Sequence, residues 1–428
     1  MAELSTGPVD PDRQKLGDEA LLEVFASARG LADPNPSYRT LREQVPVHIS
    51  GFGGTVFSRY DDCRAILRDN RFGNGDAGPN QSFGSGGAEA LAYRKEMEAR
   101  RRERPQSMLG LDPPDHTRQR GLVSRAFTPR RIEGLRPRIA ELVDERLASL
   151  AEAGTGDAMD LLAEPLPVSV ISEMLGVPET DWPEIRVLVS DLVEALEPSA
   201  TVDDLKKAEF ASSELWHYFT DLVAIRRADP HDDLLSGLIE ARDEQDMLSE
   251  GEILAVANLL FAAGAETTTN LIGNGLNALF NHPEQLDRLW RDPDPDPDLV
   301  AGAVDEILRF DSPVQLDGRV CLEDAEACGV RFAKGDRLLT LLGAANRDPA
   351  HFDDPESFDV ERRGEPVMSF GSGIHYCLGA NLAKVEGQEV FAGLIRRFAT
   401  VEPAGDRPYR KRLVLRGLER CPVAVVPR

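Results

Sequence analysis

Apolar positions in this chain recur mostly at helical spacing, with a minority of short alternating runs. Tyr60 to Arg68 turns Cys63, Ile66 and Leu67 to one side, as an inward helix face does. Ile132–Ala153, Pro165–Leu175, Trp182–Leu196 and Val202–Arg227 carry the same period, and the stretch Glu197-Pro198-Ser199-Ala200 breaks the last two apart. Ser249 followed by Glu252 has the form of a capping box, and it opens a helix that runs to about Phe280. A further helix is marked by Leu378, Leu382, Val385, Val390 and Leu394. Strand-like runs are shorter: Val45–Ile49, Thr55–Phe57, Gln315–Leu322, Gly329–Phe332, Arg337–Leu342, Leu413–Leu415 and Val423–Val426. The pattern predicts a mainly α chain with small β sheets. Residues 1–16 read as a polar, flexible tail, and 17–428 as one domain without a linker.

Composition narrows the class. The chain has 428 residues, 41% hydrophobic and 29% charged, with net charge -25. So acidic a surface argues against non-specific binding to nucleic acid or an anionic membrane. Five cysteines without a CxxC pair predict a reducing, cytoplasmic setting and no disulfide framework. The start has no signal-peptide pattern. The longest apolar stretch, Ile253 to Ala265, covers about 13 residues, against the roughly 18 that a membrane span needs.

The densest chemistry lies at Phe370-Gly371-Ser372-Gly373-Ile374-His375-Tyr376-Cys377-Leu378-Gly379. Glycines let backbone adopt positive φ or approach a flat partner. A cysteine just before a helix meets first-turn N–H groups, which favour thiolate over thiol. Such a sulfur is either a structural cysteine in a glycine turn or a soft metal ligand, haem iron included. Earlier, Pro113, Pro114 and Asp115 open a helix that places His116 and Arg120 on one face, a pair able to grip a dianion. In the long helix, Ala262-Ala263-Gly264-Ala265-Glu266-Thr267-Thr268-Thr269 interrupts the apolar run. Gly264 costs helix stability but leaves room on one face. Thr267 can return its hydroxyl to a carbonyl or a kink, and Glu266 needs solvent or a partner to ionise. Glu306 and Arg309 lie three apart on another helix.

The spacing Phe-x-x-Gly-x-x-x-Cys-x-Gly resembles the haem-binding loop of the cytochrome P-450 family, with Ala383 also in place. The Ala263–Thr267 stretch resembles that family's oxygen-handling signature, and Glu306 to Arg309 its Glu-x-x-Arg helix. The resemblance implies a triangular-prism fold with haem b between the long central helix and the cysteine-loop helix. It further implies Cys377 as axial thiolate, with Phe370, Gly371 and Gly379 shaping its loop. His116, Arg120, Arg319 and His375 would hold the haem propionates, and Glu266 and Thr267 would handle O2 and protons. Ala263, Gly264 and Val314 are implied substrate-pocket residues. Glu306 and Arg309 would be structural; Ser357 stands where a third Arg is expected, leaving Arg362 or Arg363 as substitutes. His231 reads as a capping or surface residue. The implied activity is a bacterial monooxygenase acting on a lipophilic small molecule. Its electrons would come from a separate ferredoxin and an NAD(P)H-driven reductase. A local basic patch of Arg125, Arg130, Arg131, Lys384 and Arg396 is the expected docking face. A haem-thiolate sensor without turnover, or a relative that couples phenols, are the alternatives. Substrate choice would rest on Gly73–Leu111, the lid around Glu197 and the region of Val314.

Overall fold

The computed structural model describes residues 10–75, 87–125, 127–240, 242–243, 246–364 and 366–428. Most of the expected loop from Gly73 to Gly87 (residues 76–86) lies outside them. The organising element is the central helix, Glu250–Asn281. Its start carries the expected capping box: the Ser249 hydroxyl accepts from the Glu252 N–H, and the Glu252 carboxylate accepts from the Ser249 N–H. Its end is set by His282 and Pro283, which begins the next helix. Around it pack Pro165–Leu175, Val202–Ala228, Pro297–Phe310 and Ala380–Arg397, sharing one large apolar core. The helix Ala380–Arg397 is backed in turn by Pro129–Ala153. No described helix is long and apolar enough to cross a membrane.

Small sheets flank this helical body. One has the strand order Val47–Ile49, Thr55–Phe57, Arg337–Leu341, Leu316–Cys321, Phe72–Gly73. Thr55–Phe57 runs parallel to Arg337–Leu341, and the other pairs are antiparallel. A second sheet joins Phe398–Pro403, Pro422–Pro427 and Thr155–Asp157.

Three expectations change. A helix spans Pro11–Ala26, so residues 11–16 are helical rather than tail: Asp10 caps it, with proline in its first turn, where the missing N–H costs nothing. Phe398–Pro403 is a strand that the helical period of Ala380–Arg397 conceals. Leu413–Leu415 forms no strand beyond an isolated Val314–Leu415 bridge. Its three N–H groups are spent on one side chain, the Glu197 carboxylate.

Candidate functional site

A cavity of about 380 Å³ lies between the central helix and the glycine-rich cysteine loop. On one wall stand Ala263, Gly264 and Thr267, and on the other Phe370, Gly371 and Cys377. Gly371 and Gly373 take φ of 68° and 72°, the left-handed region. A Cβ on Gly373 would come within 2.1 Å of the Leu67 carbonyl oxygen, so the loop can seat against the Tyr60–Arg68 helix only with glycine there. The Cys377 N–H donates to the Phe370 carbonyl at 2.9 Å, which closes the loop and turns the sulfur to the cavity. The exposed face of Cys377 is thus cavity wall. The local donors act on the sulfur as expected but do not decide its balance. The Gly379 N–H and Arg120 do lower its pKa, but burial outweighs them and pushes the thiol up. A cation bound at the sulfur would reverse that balance.

Basic groups converge at one edge of the same cavity. The rings of His116 and His375 are 4.3 Å apart, and Arg120 and Arg319 face them. Burial, then Arg319, His116 and Arg120, push His375 down to about 3. His116 is lowered by burial and by Arg120. Both ring nitrogens of His116, and Nη2 of Arg319, are buried without a hydrogen-bond partner among the described residues. Arg319 Nη1 donates to Asp317 at 2.5 Å, and Arg120 Nη2 to the Tyr376 carbonyl at 2.6 Å. Such clustered, unspent donors fit an anion, and a dicarboxylate answers the whole set. A flat dicarboxylate with a central metal, seated on a cysteine sulfur, is the shape and charge of haem, and these residues fit it.

The central helix supplies the opposite wall. Thr267 Oγ1 donates to the Ala263 carbonyl at 2.9 Å, the return bond anticipated for it. A Cβ on Gly264 would lie 3.2 Å from Ile171, so the glycine lets the helix approach its neighbour closely. Glu266 is buried and does not line the cavity. Its Oε1 accepts from Arg410 and Arg412, each at 2.7 Å, and those arginines also pair with Glu164 and Glu194. Val314 lines the cavity. Glu306 and Arg309 are away from it, a buried two-bond pair at 2.7 and 2.8 Å. Arg362 completes it at 3.1 Å from Glu306, whereas Arg363 turns to carbonyls. The Ser357 position contributes its carbonyl, which accepts from Arg309. His231 pairs with Asp229 at the surface, and Asp233 caps the following helix.

A sequence profile described as Cytochrome P450 matches residues 87–294 and 296–416. The chain belongs to the cytochrome P450 family. It is similar to cytochrome P450 107B1 of Saccharopolyspora erythraea, 39% identical over 91% of this chain and 95% of that one. It is 38% identical to the 6-deoxyerythronolide B hydroxylase of the same organism, over 90% and 95% of the two chains. Among solved structures, that of P450BioI in complex with a hexadecenoic acid-ligated acyl carrier protein superposes with TM-score 0.84. That match has 35% identity and covers 94% of this chain and 100% of the other. This cytochrome P450 is accordingly a haem-thiolate monooxygenase that uses O2.

Sequence reasoning passed over three features of this P450. Glu386 lines the cavity, fully buried; burial alone pushes it up to about 8. Its signal was legible: a carboxylate in the apolar stripe of Leu382, Val385 and Val390. Arg410 and Arg412, which hold Glu266, sit in a basic run that reads as exposed. Glu197, placed in a lid hinge, is 2% exposed. Long-range partners such as these leave no local trace.

Proposed function

We propose that this P450 inserts one oxygen atom into a lipophilic small molecule, by hydroxylation or epoxidation, as part of bacterial secondary metabolism. The observation that carries the reading is the cavity itself, apolar over most of its wall, with Cys377 and Thr267 facing across it. The names of two relatives, a 6-deoxyerythronolide B hydroxylase and a polyketide biosynthesis P450, support this class of substrate.

Haem, when bound, supplies the reduction of O2 and the oxygen transfer. Cys377 would hold its iron, and His116, Arg120, Arg319 and His375 its carboxylates. Phe370, Gly371 and Gly379 keep the sulfur's surroundings dry and shaped. Ala263, Gly264 and Val314 bound the space for substrate, and their small or apolar side chains favour displacement of water. Thr267 presents its hydroxyl at the wall, where it can exchange the Ala263 carbonyl for a partner in the cavity. Glu266, its neighbour in sequence, is the proposed proton relay, fixed by Arg410 and Arg412.

Electrons come from separate proteins, a ferredoxin and its reductase. Arg130 and Arg131 are exposed at the start of the helix that backs Ala380–Arg397, and Lys384 and Arg396 belong to that second helix. With Arg125 they form the proposed docking face, local basic charge on an acidic protein. Product analysis with a surrogate ferredoxin and reductase tests the reading. Oxygenated product carrying one atom from labelled O2 is expected. Coupled or cyclised product without label, or no product with intact spectral binding, would move the assignment to one of the other two readings.

A further inference from the structure

Glu197 lies in the loop between the helices Trp182–Glu194 and Val202–Ala228, yet it is only 2% exposed. Its carboxylate accepts three backbone N–H bonds from one short segment: Leu413 at 2.7 Å, Val414 at 3.1 Å and Leu415 at 3.1 Å. Neighbours on both sides of this tie line the cavity, Leu196 and Pro198 from the loop, Val414 and Leu415 from the segment. The segment is held in turn to the Val314 wall, since the Gln315 N–H donates to the Val414 carbonyl at 3.1 Å. Beyond the loop, Arg94 donates to the carbonyls of Ala195 and Glu197. Two cavity walls that share no sheet or helix are therefore joined by the Glu197 carboxylate, beside the ion pair of Arg412 with Glu194 at the end of the preceding helix.

We infer that Glu197 is a positioning residue for substrate: its carboxylate sets the gap between the loop and the Leu413–Leu415 segment, and ligands too large for that gap pass only when the tie is released. This rests on reading the cavity as the substrate site. The loop supplies no other described acceptor for these three donors, and a buried N–H without a partner is costly. The Gln315 bond and the Arg412–Glu194 pair also hold the segment, but these three N–H groups keep their partner only while the carboxylate is there. Charged acceptors strengthen each bond, so the tie is a strong one for a surface-spanning loop.

The test uses the haem-containing enzyme with E197Q, E197A and R94Q. Two probes are titrated by their haem spectral shift, imidazole as the small one and econazole as the large one, and hydrogen exchange is followed over residues 413–415. E197Q and E197A are expected to speed exchange there and to raise econazole association and dissociation rates by roughly tenfold or more, with imidazole changed less than about twofold. R94Q keeps the carboxylate, so exchange over 413–415 stays slow even if econazole rates rise. Should E197A fail to fold, E197Q and the wild-type exchange pattern still decide. Unprotected amides at 413–415 in the wild type would overturn the inference, as would equal effects on both probes. A wild type with slow exchange but no spectral response to imidazole would instead sink the haem-cavity reading and leave the tie standing.

Discussion

Replacing Glu386 by glutamine should flatten the pH dependence of stability. The carboxyl is 1% exposed, its Oε2 has no hydrogen-bond partner among the described residues, and burial alone raises it from 4.5 to about 8. No charged neighbour shares that shift, so the linkage is simple. The unfolded chain gives up this proton near its ordinary value and the folded chain only near 8. Stability from this group is therefore full below the unfolded pKa, falls as pH rises between the two, and levels off above the folded one. The gap of 8 minus 4.5 is 3.5 units. At ~1.4 kcal/mol per unit that is about 5 kcal/mol over the whole window, of which ~3 kcal/mol is already lost at pH 7. Glutamine keeps the shape and removes the titration. Its amide also lacks a partner, a constant offset of ~1–3 kcal/mol that does not vary with pH. Melting temperatures of the two proteins, measured from about pH 5 to about pH 9, should diverge steadily, with E386Q gaining by several degrees as pH rises. Parallel curves across that window would refute the reasoning and mean that the buried acid is already solvated or paired.

Other outcomes follow from the same geometry. R309A takes the fully buried partner from Glu306, leaving Arg362 and the Asp359 N–H, and should cost about 3 kcal/mol in denaturant unfolding, whereas R362A, which removes a more exposed third partner, should cost far less. T267A should keep spectral binding of substrate but lower product formed per NAD(P)H consumed; unchanged yield would remove Thr267 from the chemistry. Charge reversal at Arg130 and Arg131 should slow reduction by ferredoxin, most at low salt, and leave azole binding intact. Equal reduction rates would move the docking face elsewhere.

Much of this architecture could be read from residues close together in the chain. The capping box of the central helix, the Tyr60–Arg68 helix and the cysteine loop are local patterns, and the structure has them at the positions read from sequence. The site's basic residues, His116, Arg120, Arg319 and His375, are named by family resemblance; their periodicity alone says little, and the fold brings them to one edge. What escaped depends on distant partners. Leu413–Leu415 has the composition of a strand, but its donors belong to Glu197, more than two hundred residues earlier. Glu266 looked like a lone acid in an apolar helix because Arg410 and Arg412 arrive from the far end of the chain. The balance at the Cys377 thiol is hidden for a related reason: its N–H donor is local, but the burial that outweighs it comes from the assembled cavity.

The claim on which all of this depends is a bond from the Cys377 sulfur to haem iron. The reduced carbon monoxide adduct reports whether a thiolate would hold the iron. The account predicts the red-shifted absorption of a thiolate-ligated haem in the wild type and its loss in C377H. A wild-type adduct with the absorption of a histidine-ligated haem, or a purified protein that takes up no haem, would contradict it.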